Sequence, residues 1–139
     1  MIVPDSNVIS ELMKAEPAAE VFGWAGSLRG ETFFTTAVNQ VEVRFGLETM
    51  PPGRRRESLR KSAVQMFERY FRCRILPFDD KAALPYAVIV ARRQKAGRRI
   101  DKFDARVASI AAHHRMAVAT RDVRGFEDCG VDLINPWTA

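Results

Sequence analysis

The sequence predicts one α/β domain in three layers, an α/β/α sandwich with helices on both faces of a parallel, five-stranded sheet. Three observations lead there. Short apolar runs (IVPD, ETFFTT, RILPF, MAVAT, VDLIN) alternate with segments at helical spacing, the pattern of βα units rather than of hairpins. Those runs are almost wholly apolar, as strands are when helices cover both faces. The 139 residues hold no repeat, linker or low-complexity tract, and they suffice for one sizeable core.

Each element follows in order. IVPD is the first strand, and SNVISELM a helix that Ser6 or Asn7 can cap. Pro17 opens a second helix through Val21, Phe22 and Trp24. ETFFTT, from Glu31, is the second strand. Ala37 to Glu48 is a helix with Val38, Val41 and Phe45 at helical spacing, and Met50-Pro51-Pro52-Gly53 breaks it. A basic helix from Arg54 to Arg72 turns Leu59, Ala63, Met66, Phe67, Tyr70 and Phe71 inward. RILPF is the third strand. Asp79 or Asp80 caps a long helix ending at Gly97, and Pro85 kinks it or delays its start. Asp101 to Arg115 is a helix with Phe103, Val107, Ile110 and Ala111 inward, and Asp101 is its natural cap. MAVAT and VDLIN are the last two strands.

The composition is that of an ordinary soluble globular chain: 47% hydrophobic and 28% charged. No apolar run approaches the ~18 residues of a membrane span. The start, MIVPDSNVIS, has no basic region and does not read as a secretory signal. Cys73 and Cys129 form no CxxC pattern, which suits reduced thiols in a cytoplasmic protein and not a zinc site. The net charge of +5 suits a polyanionic partner such as nucleic acid, or merely keeps a small domain soluble.

Four acids fall where apolar runs give way to polar turns or helices: Asp5, Glu42, Asp104 and Asp122. In an α/β sheet the carboxyl ends of the strands share one edge, where sites assemble. Carboxylates gathered there repel one another unless a divalent cation, Mg²⁺ or Mn²⁺, neutralises them. Singly, each has a structural reading: Asp5 as a helix cap, Glu42 as a solvated helix residue, Asp104 at a helix dipole, Asp122 in an Asx turn. Jointly they point to a metal site. His113 and His114 are adjacent on a helix and form no ligand pair. GxGxxG, GxxxxGK[ST] and GxSxG are all absent.

Taken together, DSNVISEL, VEVRFGLE, DKFDARVASIAA and ATRDVRGF…INPW resemble the PIN-domain ribonucleases, and among them the VapC/FitB-type toxins of toxin–antitoxin pairs. The match is collinear over essentially the whole chain. The resemblance implies a parallel five-stranded α/β/α sandwich and an Mg²⁺ or Mn²⁺ site of Asp5, Glu42, Asp104 and Asp122. It implies that Asn7 supports Asp5 and that Thr120 orients groups beside the metal. It also implies an RNA substrate, a homodimer, and an inhibiting antitoxin whose DNA-binding half directs the complex to its promoter. Pro4 departs from the family pattern, removing an N–H from what should be a central strand. Ser6 stands where Thr is commoner, and Asn39 and Gln40 make the approach to Glu42 more polar.

A metal at such a site activates water and stabilises charge during in-line displacement at phosphorus. Asp5, Asp104 and Asp122 are the candidate ligands, direct or through water, and Glu42 positions the attacking water or completes the shell. Arg44 and Arg121 lie beside site residues and are candidates for phosphate contact. Two basic clusters can also grip RNA: Arg54, Arg55, Arg56, Arg60 and Lys61, and Arg92, Arg93, Lys95, Arg98, Arg99 and Lys102. A charged run of this kind is otherwise a solvated face. The rival readings are a non-catalytic module that holds a DNA-binding antitoxin, and a metal-dependent DNA nuclease.

Overall fold

A computed structural model describes residues 1–28 and 32–139; the start of the second predicted strand, at Glu31, lies outside them. The chain runs β1 (Ile2–Pro4), α1 (Ser6–Leu12), α2 (Ala19–Ser27), β2 (Thr35–Thr36), α3 (Ala37–Glu48), α4 (Arg54–Val64), β3 (Ile75–Leu76), α5 (Ala83–Lys95), α6 (Lys102–His114), β4 (Ala117–Ala119), α7 (Val123–Phe126) and β5 (Leu133–Ile134). A π-helical turn, Gln65–Tyr70, extends α4, and a 3₁₀ turn, Asp80–Ala82, precedes α5.

All strand pairs are parallel, in one sheet ordered β1-β4-β5 and another pairing β2 with β3. Among the described residues a single parallel bridge, Ile2 to Phe33, joins the two, so the order across the molecule is β3-β2-β1-β4-β5. Pro4 accounts for the brevity of that junction. Ile2 exchanges bonds with Thr32 and Phe34 on the β2 side, whereas Asp5 donates to Ala119 on the β4 side at 2.8 Å. Residues alternate sides along a strand, so Pro4 faces β2, where it has no N–H to carry the ladder onward.

The sheet separates two cores. Ile2 and Ala119 pack with Val8, Ile9, Trp24, Leu47, Phe67 and Phe71 under α1 to α4. Val3 and Val118 pack with Ile89, Val107, Ile110 and Phe126 under α5 to α7. Alternate residues of β1 and β4 thus feed opposite layers, which is why these strands read as continuous apolar runs.

Several helix details differ from expectation. On α3 the buried face is Val38, Asn39, Val43 and Leu47, while Val41 and Phe45 are exposed. Tyr70 and Phe103 also point to solvent. Asp5, not Ser6 or Asn7, occupies the α1 N-cap position, and its side chain makes no capping bond. Pro85 lies in the first turn of α5, where its missing N–H has no intrahelical partner to lose. Asp101 caps α6, accepting from the N–H groups of Phe103 and Asp104 at 2.9 and 3.2 Å.

Candidate active site

The strand order reverses about β1, and the crevice at the carboxyl ends of β1 and β4 is where an α/β sheet places a ligand. Asp5 ends β1 there, and is 3% exposed. Its Oδ2 accepts from Asn7 Nδ2 at 2.8 Å and from the Thr120 hydroxyl at 3.2 Å. Its Oδ1 accepts from Asn39 Nδ2 at 3.1 Å. Burial pushes the Asp5 carboxyl above its ordinary pKa, the Ser6 N–H and the Thr120 and Asn39 side chains pull it back, and Asp122 pushes it further up.

Thr120 and Asn7 tie the two strand ends together. Asn7 Nδ2 also reaches Thr120 Oγ1 at 3.2 Å, and Asn7 Oδ1 accepts from the Arg121 N–H at 3.1 Å. Thr120 Oγ1 in turn accepts from the Asp122 N–H at 3.1 Å. Asn39 completes the set from α3. The Thr36 hydroxyl caps that helix by accepting from the Asn39 N–H at 3.0 Å and donates to Asn39 Oδ1 at 2.7 Å. With its oxygen so occupied, Asn39 can only present its NH₂ to Asp5. In the sequence Asn39 stands out only as a polar residue before Glu42; the Thr36-x-x-Asn39 spacing of a reciprocal cap is the signal that marks it.

Glu42 and Asp104 are in the opposite condition. Glu42, one turn beyond Asn39, is half-buried, and its Oε1 has no hydrogen-bond partner among the described residues. Burial, then the charges of Asp5, Asp104 and Asp101, push its pKa to about 7 against the Ser6 hydroxyl. Burial, then Asp5, Asp101 and Asp122, likewise push Asp104 to about 7, with only Arg93 opposing. Asp122 caps α7, its Oδ1 accepting from the Gly125 N–H at 3.1 Å. A Cβ at Gly125 would lie 2.5 Å from Asp122 Oδ2 and 3.2 Å from Asp104 Oδ2. Glycine is therefore what lets these two carboxylates close on one point of backbone.

A PIN-domain model matches residues 2–131. The chain belongs to the PIN-domain family. It is 42% identical to a VapC ribonuclease from Sinorhizobium fredii, over 99% of this chain and 98% of the relative. It is 35% identical to toxin FitB from Neisseria gonorrhoeae, over 99% of each. Those relatives place it with the VapC/FitB toxins. The crystal structure of FitAcB from Neisseria gonorrhoeae superposes with a TM-score of 0.90 at 34% identity, covering 100% of both chains. A structure of FitAB bound to a DNA fragment gives 0.89 at 36% identity, covering 99% of this chain and 96% of that one.

This PIN site has the chemistry of a cation cradle: all-oxygen donors, an orphaned buried carboxylate oxygen, and two acids raised to about 7 by burial first and by neighbouring carboxylates second. Among the described residues no three Asp, Glu, His or Cys side chains are grouped to enclose a metal by themselves.

The basic residues divide. The Arg121 guanidinium lies 5.1 Å from the Trp137 ring centroid, and that of Arg44 lies 5.5 Å from Phe67 and 4.0 Å from Glu68. Arg56 and Arg60 pair with Glu48, and Arg60 also with Glu57. Arg98 pairs with Glu127 and Asp128 at 2.5 and 2.6 Å. Arg93, expected in a surface cluster, is 4% exposed. It is inside the protein because its guanidinium is spent on backbone carbonyls, and it cannot reach RNA.

Proposed function

We propose that this PIN domain is a metal-dependent endoribonuclease, cleaving RNA phosphodiester bonds as the toxin of a toxin–antitoxin pair. The unsatisfied Oε1 of Glu42, a half-buried carboxylate that feels the charges of Asp5 and Asp104, carries the proposal: an unpaired oxygen in like-charge company calls for a cation. Asp5, Asp104 and Asp122 would hold Mg²⁺ or Mn²⁺, directly or through water. When bound, the ion supplies charge stabilisation at phosphorus and an acidified water. Glu42 would orient the attacking water and take up its proton. Asn7, Asn39 and Thr120 keep Asp5 in one orientation, and Arg121 can meet a substrate phosphate.

The partner reading rests on the relatives and on an apolar groove. Three adjoining cavities run from the site along α1 and α4. One of about 450 Å³ is lined by Glu42, Met13 and Leu59. The next, about 670 Å³, shares Met13 and Leu59 and adds Met66 and Tyr70. The last, about 240 Å³, shares Met66 and Tyr70 and adds Phe22 and Trp24. An antitoxin segment lying there would bury apolar surface and could set a basic side chain among the carboxylates. DNA would be engaged through the antitoxin. Exposed Leu84 and Val88 on α5 offer a face for a homodimer. No helix of the described residues is long and apolar enough to cross a membrane, consistent with a cytoplasmic role.

The test is cleavage of single-stranded RNA and single-stranded DNA by purified, antitoxin-free protein, with Mg²⁺, with Mn²⁺ and with EDTA. RNA cut only in the presence of metal is the expected result. Cleavage of DNA alone would favour a DNA nuclease. A folded protein that binds its antitoxin and cuts neither polymer would favour a non-catalytic module.

A further inference from the structure

Arg93 is a buried arginine with no carboxylate in hydrogen-bond contact among the described residues. Its Nε donates to Arg98 O at 3.1 Å, and its Nη2 to Arg99 O at 3.0 Å. Its Nη1 donates to Gly125 O at 3.1 Å and to Glu127 O at 2.7 Å. These acceptors belong to two segments distant in sequence: the turn that leads into α6, which bears Asp104, and α7 with the residue after it, which Asp122 opens. The same α7 residue, Gly125, gives its N–H to Asp122 and its carbonyl to Arg93.

A buried charge is costly unless it is well bonded, and a fork of donors in fixed geometry is what arginine has and lysine lacks. We infer that Arg93 is a positioning residue of the catalytic site, clamping the α6 approach to the α7 turn so that Asp104 and Asp122 converge over Gly125. The inference rests on the metal-dependent nuclease reading for its purpose, and on the four carbonyl bonds for its geometry. Two effects are separable. The positive charge of Arg93 offsets part of the repulsion on Asp104. The fork fixes where the carboxylates stand.

Arg93→Lys separates them, keeping the charge and removing the planar fork. The measurements are Mn²⁺ affinity by titration calorimetry and hydrogen exchange at the Gly125 N–H, both on protein shown to be folded by circular dichroism. We expect Mn²⁺ affinity to fall by ~10-fold or more, as when a ligand's supporting partner is lost, and the Gly125 N–H to exchange faster. Arg98→Gln is the control: it breaks the surface pairs to Glu127 and Asp128 and leaves the fork intact, so Mn²⁺ affinity should hold. A lower melting temperature in Arg93→Lys with unchanged Mn²⁺ affinity and unchanged Gly125 exchange would overturn the positioning role. If Arg93→Lys does not fold, Gly125→Ala decides: its methyl group displaces Asp122 with the clamp in place, and unchanged Mn²⁺ affinity would show that convergence over Gly125 does not matter. Failure of the parent protein to bind Mn²⁺ would instead count against the nuclease reading, and the exchange result would still judge the clamp.

Discussion

The two sides of the acidic crevice are built on opposite terms. On the β1 side, Asp5 is buried and bonded at both oxygens, with Asn7, Asn39 and Thr120 each donating to it. On the α3 and α6 side, Glu42 and Asp104 are half-buried and pushed to about 7, and Glu42 Oε1 has no donor among the described residues. One side is organised before any ligand arrives. The other is organised by what it lacks, and its repulsion is relieved only by protons or by a cation. Function and stability should therefore respond differently to the same change on the two sides.

Asparagine substitutions sharpen that contrast and carry the largest expected effect. Asp5→Asn and Asp104→Asn should both abolish metal-dependent RNA cleavage, a loss on the order of 10²-fold or more for a charged group facing the reacting centre. Their stabilities without metal should part. Asp104→Asn removes a charge from like-charge company and should raise the melting temperature. Asp5→Asn turns an NH₂ toward donors, and an unsatisfied buried pairing costs about 1–3 kcal/mol, so its melting temperature should fall. Thermal unfolding in EDTA reads the difference. Equal shifts of one sign would show that the two sides are not distinct.

The contrast also explains what could be read in the sequence. The apolar runs were legible because β1 and β4 feed both cores, Ile2 and Ala119 one way and Val3 and Val118 the other. Asp5, Asp104 and Asp122 were legible because each closes an apolar run or opens a helix, a local property, whereas Glu42, in the middle of α3, stood out only within the VEVRFGLE motif. Partners supplied by backbone or by distant residues were not legible. Arg93 looks like its neighbours in a basic run until four carbonyls from elsewhere are brought around it. The facing of α3 was misjudged for a related reason: Asn39 is polar yet buried, which rotates the helix so that Val41 and Phe45 face out. The strand ends contracted to two or three residues, and α7 has only four, too few for a period to show.

A pH titration tests the donor-poor side at intermediate effect. Glu42 and Asp104 have folded-state pKa values of about 7, above their ordinary 4.5 and 3.8. Between those limits the folded protein binds more protons than the unfolded chain. Stability without metal should therefore fall as pH rises from about 4 to about 7 and level off above that. Mn²⁺ affinity should move the other way, rising over the same window as protons leave the site. Denaturation in EDTA at several pH values, paired with Mn²⁺ titrations, checks both. Metal-free stability that rises across the window would mean that these carboxylates are not raised.

The smallest expected effect concerns the rim above the bonded side. Arg121 has its backbone N–H held by Asn7 and its guanidinium against Trp137, 5.1 Å from the ring centroid. That stacking holds a cation beside Asp5's network; among the described residues it makes no ion pair with a site acid, and the nearby Glu11 feels its charge without pairing to it. Arg121→Ala should weaken RNA binding at low salt and reduce the log–log salt slope by roughly 0.7, the contribution of one phosphate contact on a single strand. Arg44 sits beside Glu68 at 4.0 Å, a neighbour that already answers part of its charge, so Arg44→Ala should lower the slope less. Neither side chain can ligate a cation, so Mn²⁺ affinity should stay put in both variants. Were Arg121 instead a brace for the acids, its loss would weaken Mn²⁺ binding and leave the salt slope where it was. RNA binding measured from low to moderate salt in a non-cleaving Asp104→Asn background, with Mn²⁺ calorimetry on the Arg121→Ala single variant, distinguishes a hand on the substrate from a support for the site.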